Sequence, residues 1–238
     1  MSDVVDLLSR PVYGLGQVDR ILGLPPGTSR RWIDGYRRGG RQYPPVIRES
    51  PTGNETVTWG EFVETRLLSE YRDAGVSLAR MRPAVDALRE ELQTPYPLAS
   101  ARTWLDVHGR ELVRKVQEDV GLERPLALVV VRTGQRVLDW AQPADEFRRS
   151  VEWTGDDRDA QPRLLRPAAD LQSVQIDPLR GFGEPVVRNV RTEIIAELFR
   201  GGESVDAIAE LYELPVSTVS EALRYEMRRV NSSTAEAA

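Results

Sequence analysis

The sequence has no cysteine, a single histidine (His108) and a single lysine (Lys115). Without cysteine there is no disulfide and no thiolate metal site, and the absence fits a reducing compartment. The lone histidine stands before Gly109, where it reads as a surface or turn residue, and no nucleophile–base pair is visible. No apolar run approaches the roughly 20 residues needed to span a bilayer. The start, Met1-Ser-Asp-Val-Val-Asp, lacks a basic region followed by an apolar stretch. The reading is therefore a cytoplasmic chain with no membrane partner. Gly181-Phe182-Gly183 has neither the spacing of a phosphate loop nor a following Lys-Ser/Thr. Asp156, Asp157 and Asp159 lack the glycine and distal glutamate of a calcium loop. These absences point away from an enzyme and leave no cofactor and no metal to expect.

What is present is a soluble, globular composition: 238 residues, 40% apolar and 29% charged. That length gives room for one to two domains. The net charge of −5 counts against a nucleic-acid partner, but the charge is unevenly spread. From Gly27 to Arg48 there are six arginines (Arg30, Arg31, Arg37, Arg38, Arg41, Arg48) and one acid, Asp34. A basic patch on an acidic protein still attracts phosphate, although a solvated arginine-rich loop would read the same way.

Periodicity and turn residues divide the chain into 1–92, 93–173 and 174–238. In the first part, residues 16–23 read as a short helix ending at Gly23. Pro25-Pro26-Gly27 is a turn, and Thr28 caps a second helix carrying Arg30, Arg31 and Trp32. Residues 45–50 and 56–59 flank Pro51-Thr-Gly-Asn-Glu as a hairpin. Two amphipathic helices follow, over 61–74 and 77–92. The second turns Leu78, Met81, Val85, Leu88 and Leu92 to one face, either for a second copy or for the preceding helix. The middle part holds a helix over 109–120 and a hairpin of 125–132 with 136–140, turning at Thr133-Gly134-Gln135. Residues 141–173 are polar and punctuated by proline, and read as a connector that orders on binding. The last part places two short strands before helices over 191–200, 204–212 and 216–230. The fold class expected is α+β, mainly helical.

Two segments carry the pattern of a helix-turn-helix. In the second, Ala209 lets two helices cross closely and Val219, ten positions on, locks the crossing. Glu213 stands where the turn usually has glycine. Ser217, Thr218, Ser220, Glu221 and Arg224 then fall on the outer face of the second helix. The first segment, with Gly23, Thr28-Ser-Arg-Arg-Trp and Asp73-Ala-Gly-Val-Ser-Leu-Ala-Arg-Met-Arg, resembles the MerR-type winged helix-turn-helix domain over about 80 residues. It departs from that pattern at Asp19, where a small residue is expected, and at Ser29, where an apolar one is expected. The resemblance implies that Arg30, Arg31 and Arg37 face phosphates or base edges and that Arg48 and Asn54 touch flanking backbone.

Val174-Gln-Ile-Asp-Pro, Gly181-Phe-Gly-Glu-Pro-Val-Val-Arg-Asn-Val-Arg-Thr-Glu, Val205-Asp-Ala-Ile-Ala-Glu-Leu-Tyr and Val219-Ser-Glu-Ala-Leu-Arg-Tyr-Glu resemble the small helix-turn-helix domain of VapB-type antitoxins. With the MerR-like front end, the whole is similar to the long actinobacterial members of that family. The resemblance implies an antitoxin that neutralises a PIN-type ribonuclease and represses its own operon. Its partners would be operator DNA and the cognate toxin, as a homodimer or a toxin–antitoxin hetero-oligomer. DNA-contacting candidates are Arg30, Arg31, Arg37, Arg48, Ser217, Thr218, Ser220 and Arg224. Phe147, Arg148, Arg149, Trp153, Arg163 and Arg166 set apolar anchors beside guanidinium groups that suit a carboxylate-lined nuclease site, which makes them the toxin-binding candidates. A ligand-sensing transcription factor and a protein-binding scaffold with degenerate helix-turn-helix folds are the alternatives.

Overall fold

The computed structural model describes residues 6–72, 77–106, 108–132, 137–154, 160–168 and 170–234. The fold is α+β and mainly helical, with small antiparallel sheets. Among the described residues no helix is long and apolar enough to cross a membrane.

The chain opens with strand β1 (Pro11–Gly14), helix α1 (Leu15–Leu22) and helix α2 (Thr28–Ile33). A hairpin of β2 (Tyr36–Arg38) and β3 (Arg41–Tyr43) follows. Strand β4 (Thr56–Thr58) then pairs back on β1. The hairpin expected between 45–50 and 56–59 is therefore not formed. Residues 45–50 form no strand, because the Val46 and Ile47 N–H groups both turn to the Trp32 carbonyl, at 2.8 and 3.0 Å, instead of to a partner strand. The hairpin lies earlier in the chain, where Gly39 and Gly40 both take positive φ (56° and 77°) and make a two-residue turn between Arg38 and Arg41.

Helix α3 (Trp59–Glu70) begins with a capping box: the Glu61 N–H donates to Thr58 Oγ1 at 3.3 Å and the Thr58 N–H to Glu61 Oε2 at 2.8 Å. It is buried on nearly all sides, so Glu64 lies inside the protein. Burial pushes the Glu64 carboxyl up to about 8, against the Leu98 N–H that donates to its Oε1 at 2.8 Å. Helix α4 (Arg82–Leu92) follows a 3₁₀ turn, Leu78–Met81. Leu78, Met81, Val85, Leu88 and Leu92 are all buried within the chain, so that face is not open to a second copy. Of the MerR-like stretch that begins at Asp73, residues 73–76 lie outside the described residues.

Next come α5 (Ala101–Trp104), α6 (Gly109–Asp119) and the antiparallel pair β5 (Val129–Arg132) and β6 (Val137–Trp140). Their turn, 133–136, lies outside the described residues, as do Asp156, Asp157 and Asp159. The expected connector is built structure: α7 (Gln142–Ser150), β7 (Val151–Thr154) and β8 (Gln161–Leu165), with β7 and β8 paired antiparallel. Phe147, Val151 and Leu165 join the same apolar cluster as Val18, Phe62, Leu88, Val113 and Val129. The segment looks polar in sequence because its arginines are many, but they spend their charge on acids of the segment itself.

The last part forms a second apolar cluster, including Leu171, Val174, Ile195, Ile208, Leu214, Val219 and Tyr225. Strands β9 (Val174–Gln175), β10 (Val186–Val187) and β11 (Val190–Arg191) make one sheet in the order β11-β10-β9, adding a third strand to the two expected. Helices α8 (Thr192–Arg200), α9 (Val205–Leu211) and α10 (Val216–Thr234) complete it. Helix α10 carries on beyond Val230 into the tail expected to fray. This part is tied to the first by buried polar contacts. Tyr13 donates to the Gly183 carbonyl and Tyr225 to the Ile21 carbonyl, both at 2.8 Å, and Glu184 takes Arg20 and Gln17. Burial raises both phenols above their ordinary range, so they stay protonated donors.

Candidate nucleic-acid interface

The site is built from α1, its turn, α2 and the β2–β3 hairpin. Gly23 ends α1 in the left-handed conformation (φ 61°), so that Leu24 N–H reaches the Asp19 carbonyl at 2.8 Å. The turn is then held by a side chain. The Asp19 carboxylate accepts from the Gly27 and Ser29 N–H groups, each at 2.7 Å, and Ser29 Oγ donates to the Leu15 carbonyl at 2.8 Å. Asp19 and Ser29 are both buried, the carboxylate satisfied by the two N–H groups and the hydroxyl by the Leu15 carbonyl. The two residues that depart from the expected small-and-apolar crossing, Asp19 and Ser29, are thus joined by a polar staple. Asp19, not Thr28, supplies the cap to the start of α2, while Thr28 Oγ1 is turned to Arg31 at 2.8 Å.

The hairpin leaves α2 through Gly35 (φ 76°), where a Cβ would stand 2.5 Å from the Tyr43 carbonyl oxygen, so only glycine fits. Tyr36 and Tyr43 face each other across the strands and stack with centroids 4.6 Å apart and planes 3° from parallel. Arg41 lies over the Tyr43 ring at 5.3 Å, and Arg37 donates to Gln42 Oε1 at 3.2 Å. These contacts stiffen a ribbon whose outer surface is cationic. Arg30, Arg31, Arg37, Arg38 and Arg41 are all exposed, Arg30 paired with the exposed Glu55.

Arg48 is a correction. Its side chain is only 9% exposed. It donates to Asp34 Oδ1 at 2.9 Å, Glu61 Oε1 at 2.7 Å, Thr52 Oγ1 and the Asn54 and Thr56 carbonyls, each at 2.8 Å. Burial works against its charge, but the hydrogen bonds and attraction of Glu61 and Asp34 outweigh this and raise its pKa. Burial likewise opposes the Asp34 charge, and the Thr52, Arg48 and Gly53 donors overcome it and hold that carboxyl low. Arg48 therefore ties loop 48–56 to the body, with no donor left to meet a phosphate. The sequence signal was there: it follows two adjacent buried residues rather than lying in an open ribbon.

The second set of expected contacts divides as well. Ser217 and Arg224 are exposed on α10. Thr218 is buried, because it belongs to the turn that packs α10 on α9, with its N–H on the Pro215 carbonyl at 2.9 Å. Ser220 Oγ is turned back to the Val216 carbonyl at 2.9 Å, and Glu221 accepts from the Ser173 N–H at 2.7 Å.

The set expected to hold a toxin is not a free segment. Phe147 is fully buried, with its ring 5.1 Å from that of Trp104. Trp153 packs partly buried against the same core. Arg148 and Arg149 both pair with Asp145, and Arg163 and Arg166 both pair with Glu152. The arginines balance acids one helical turn or one strand away, and the apolar residues are core.

Residues 174–225 match a family described as a protein of unknown function, DUF433. The uncharacterized protein Rv2308 of Mycobacterium tuberculosis is 39% identical over 227 residues, covering 93% of this chain and 92% of that one. The chain belongs to the Rv2308 family. A second protein of that organism, named "Putative antitoxin VapB45", is 29% identical over 228 residues, 90% of this chain and 92% of that one. The crystal structure of Rv2018 from Mycobacterium tuberculosis aligns with a TM-score of 0.69 at 27% identity, covering 90% of this chain and 97% of that one. The relationship of the Rv2308 family member to an antitoxin-named protein therefore runs along nearly the whole chain, well past the segment 174–227 that suggested it.

Proposed function

We propose that the chain is the antitoxin of a type II toxin–antitoxin system, a regulator rather than an enzyme. In this reading it binds operator DNA to repress its own operon and neutralises a PIN-type ribonuclease encoded beside it. The observation that supports this most is the set of five exposed arginines on α2 and the β2–β3 hairpin, with their acid, Asp34, withdrawn into the Arg48 network. The VapB45 relative lends the antitoxin role. Helices α1 and α2 read as a helix-turn-helix and the hairpin as its wing. Helix α2 enters the major groove with Arg30 and Arg31 towards base edges, while Arg37, Arg38 and Arg41 lie along the phosphates.

The test is operator binding across a salt series. Replacing Arg37, Arg38 and Arg41 together by alanine is expected to lower affinity at least tenfold. It should also reduce the slope of log K against log salt by about one per lost phosphate contact, about three in all. Arg224→Ala, on α10, is expected to change affinity less than twofold. An unchanged slope in the triple variant, or a larger loss from Arg224→Ala, would remove α2 and the hairpin as the DNA-binding face.

A further inference from the structure

The second helix pair, α9 and α10, carries the opposite charge. Between Gly201 and Leu223 the sequence has five acids and no lysine or arginine. Two of them, Asp206 and Glu210, are four residues apart on α9 and share its face as an acidic stripe, and Glu203 and Glu213 flank that helix at its two ends. All four are exposed. At 1.5 Å rise per residue Asp206 and Glu210 stand about 6 Å apart along α9. Beside it stand apolar side chains that the fold leaves uncovered: Leu211 at 65% and Val216 at 48% exposure, on either side of the turn between the helices. At the far end Arg188 donates to the Glu213 carbonyl at 3.2 Å, which sets one cation beside that end.

This surface is the wrong sign for DNA. In a DNA-bound helix pair the first helix crosses the phosphate backbone, and here that helix is α9, with a row of like charge. It is also ill suited to a second copy, since an isologous contact would lay the stripe against itself. We infer that the α9 stripe with Leu211 and Val216 is the docking surface for the protein partner, seated on that partner's basic, nucleic-acid-binding groove. A ribonuclease must hold a phosphate chain and so presents such a groove. A spaced row of carboxylates with apolar neighbours meets it as a rigid substitute for that chain, and the apolar pair supplies the desolvated centre. The assignment rests on the antitoxin reading for the partner's identity.

The test uses the full chain co-expressed with the product of the adjacent gene. Variants are Glu210→Arg with Asp206→Arg, and Leu211→Ser with Val216→Ser; all four side chains are exposed, and circular dichroism and operator binding verify the fold. The wild-type complex is expected to survive purification and to weaken steeply with salt. Charge reversal is expected to weaken it at least a hundredfold and the polar pair at least tenfold, with operator affinity unchanged. If both variants hold the partner as the wild type does, the docking assignment is wrong while the antitoxin reading stands. Operator affinity that rises with charge reversal, with partner capture unmoved, would show that the stripe faces DNA and would overturn it too. Failure of the wild-type chain to hold that gene product would overturn the antitoxin reading, and this assignment with it.

Discussion

Helix pairs α1–α2 and α9–α10 are the same turn built twice. Gly23 N–H bonds the Arg20 carbonyl and Leu24 N–H the Asp19 carbonyl, as Glu213 N–H bonds Glu210 and Leu214 N–H bonds Ala209. Each pair continues Leu-Pro, and three residues after the proline a buried threonine, Thr28 or Thr218, donates its N–H to that proline's carbonyl. On this shared backbone the side chains diverge. Asp19 and Ser29 stand where Ala209 and Val219 stand, so one crossing is stapled by hydrogen bonds and the other by apolar contact. Arginines outnumber acids five to one between Gly27 and Tyr43, while five acids face no base between Gly201 and Leu223. A shared turn backbone thus says little about what binds it; the surface on it says more.

The largest effect that would sharpen this contrast comes from an arginine of the first pair's neighbourhood that makes no outward contact. Replacing Arg48 with alanine leaves Asp34 and Glu61, both buried, without their cation. Breaking one side of a buried pair costs about 3–5 kcal/mol, and urea unfolding is expected to show a loss of that size. Arg224→Ala, an exposed change on α10, is expected to stay within about 0.5 kcal/mol. A loss below about 1 kcal/mol for Arg48→Ala would mean that its network contributes little to holding Asp34 and Glu61 in place.

A smaller effect tests the staple itself. Asp19→Ala strips the acceptor from two backbone N–H groups and is expected to cost about 1–3 kcal/mol. Adding Ser29→Val fills the crossing with an apolar side chain, as Val219 does in the second pair, and is expected to recover part of that loss by burial alone, since the hydroxyl it removes bonds the Leu15 carbonyl and both backbone N–H groups stay without the carboxylate. Equal stability of the single and double variants would show that the two crossings are not interchangeable.

The legible parts of this fold were those with a strong local period. Residues 77–92 turned the expected five apolar side chains inward, and the helices over 191–200, 204–212 and 216–230 fell within a residue or so of their places, the last running further. The charge of the first pair was legible too, since a count of arginines needs no structure. What was not legible depended on distant partners. Thr56–Thr58 reads as one arm of a hairpin, and only the fold gives it to β1 some 45 residues away. Phe147 and its neighbouring arginines read as a binding segment because the acids that neutralise them, Asp145 and Glu152, lie in the same stretch and cannot be matched one to one from sequence. The acidic stripe on α9 was in plain view, but it lay in a segment already read as DNA-binding from its helical spacing.

The smallest effect separates backbone from charge at the point where the two pairs differ most locally. Gly23 and Glu213 occupy the same left-handed position, with φ of 61° and 51°. For glycine that conformation is free of Cβ strain, whereas a residue with a side chain gives up about 1 kcal/mol there. Glu213→Gly relieves the strain but returns flexibility to the unfolded chain, so the net gain expected is about 0.5 kcal/mol at most, read as a raised urea midpoint. Removing a glutamate also lightens the charge at the end of the acidic stripe, where Glu210 is three residues away, and that alone would add a few tenths of a kcal/mol. Glu213→Ala divides the two causes, since alanine loses the charge and keeps the Cβ. If the gain is backbone strain, alanine leaves stability near the wild-type value and glycine raises it. If alanine matches glycine, the turn is unstrained, and it is the crowding of acids on α9 that costs this helix pair stability, a cost that a basic partner seated on the stripe would relieve.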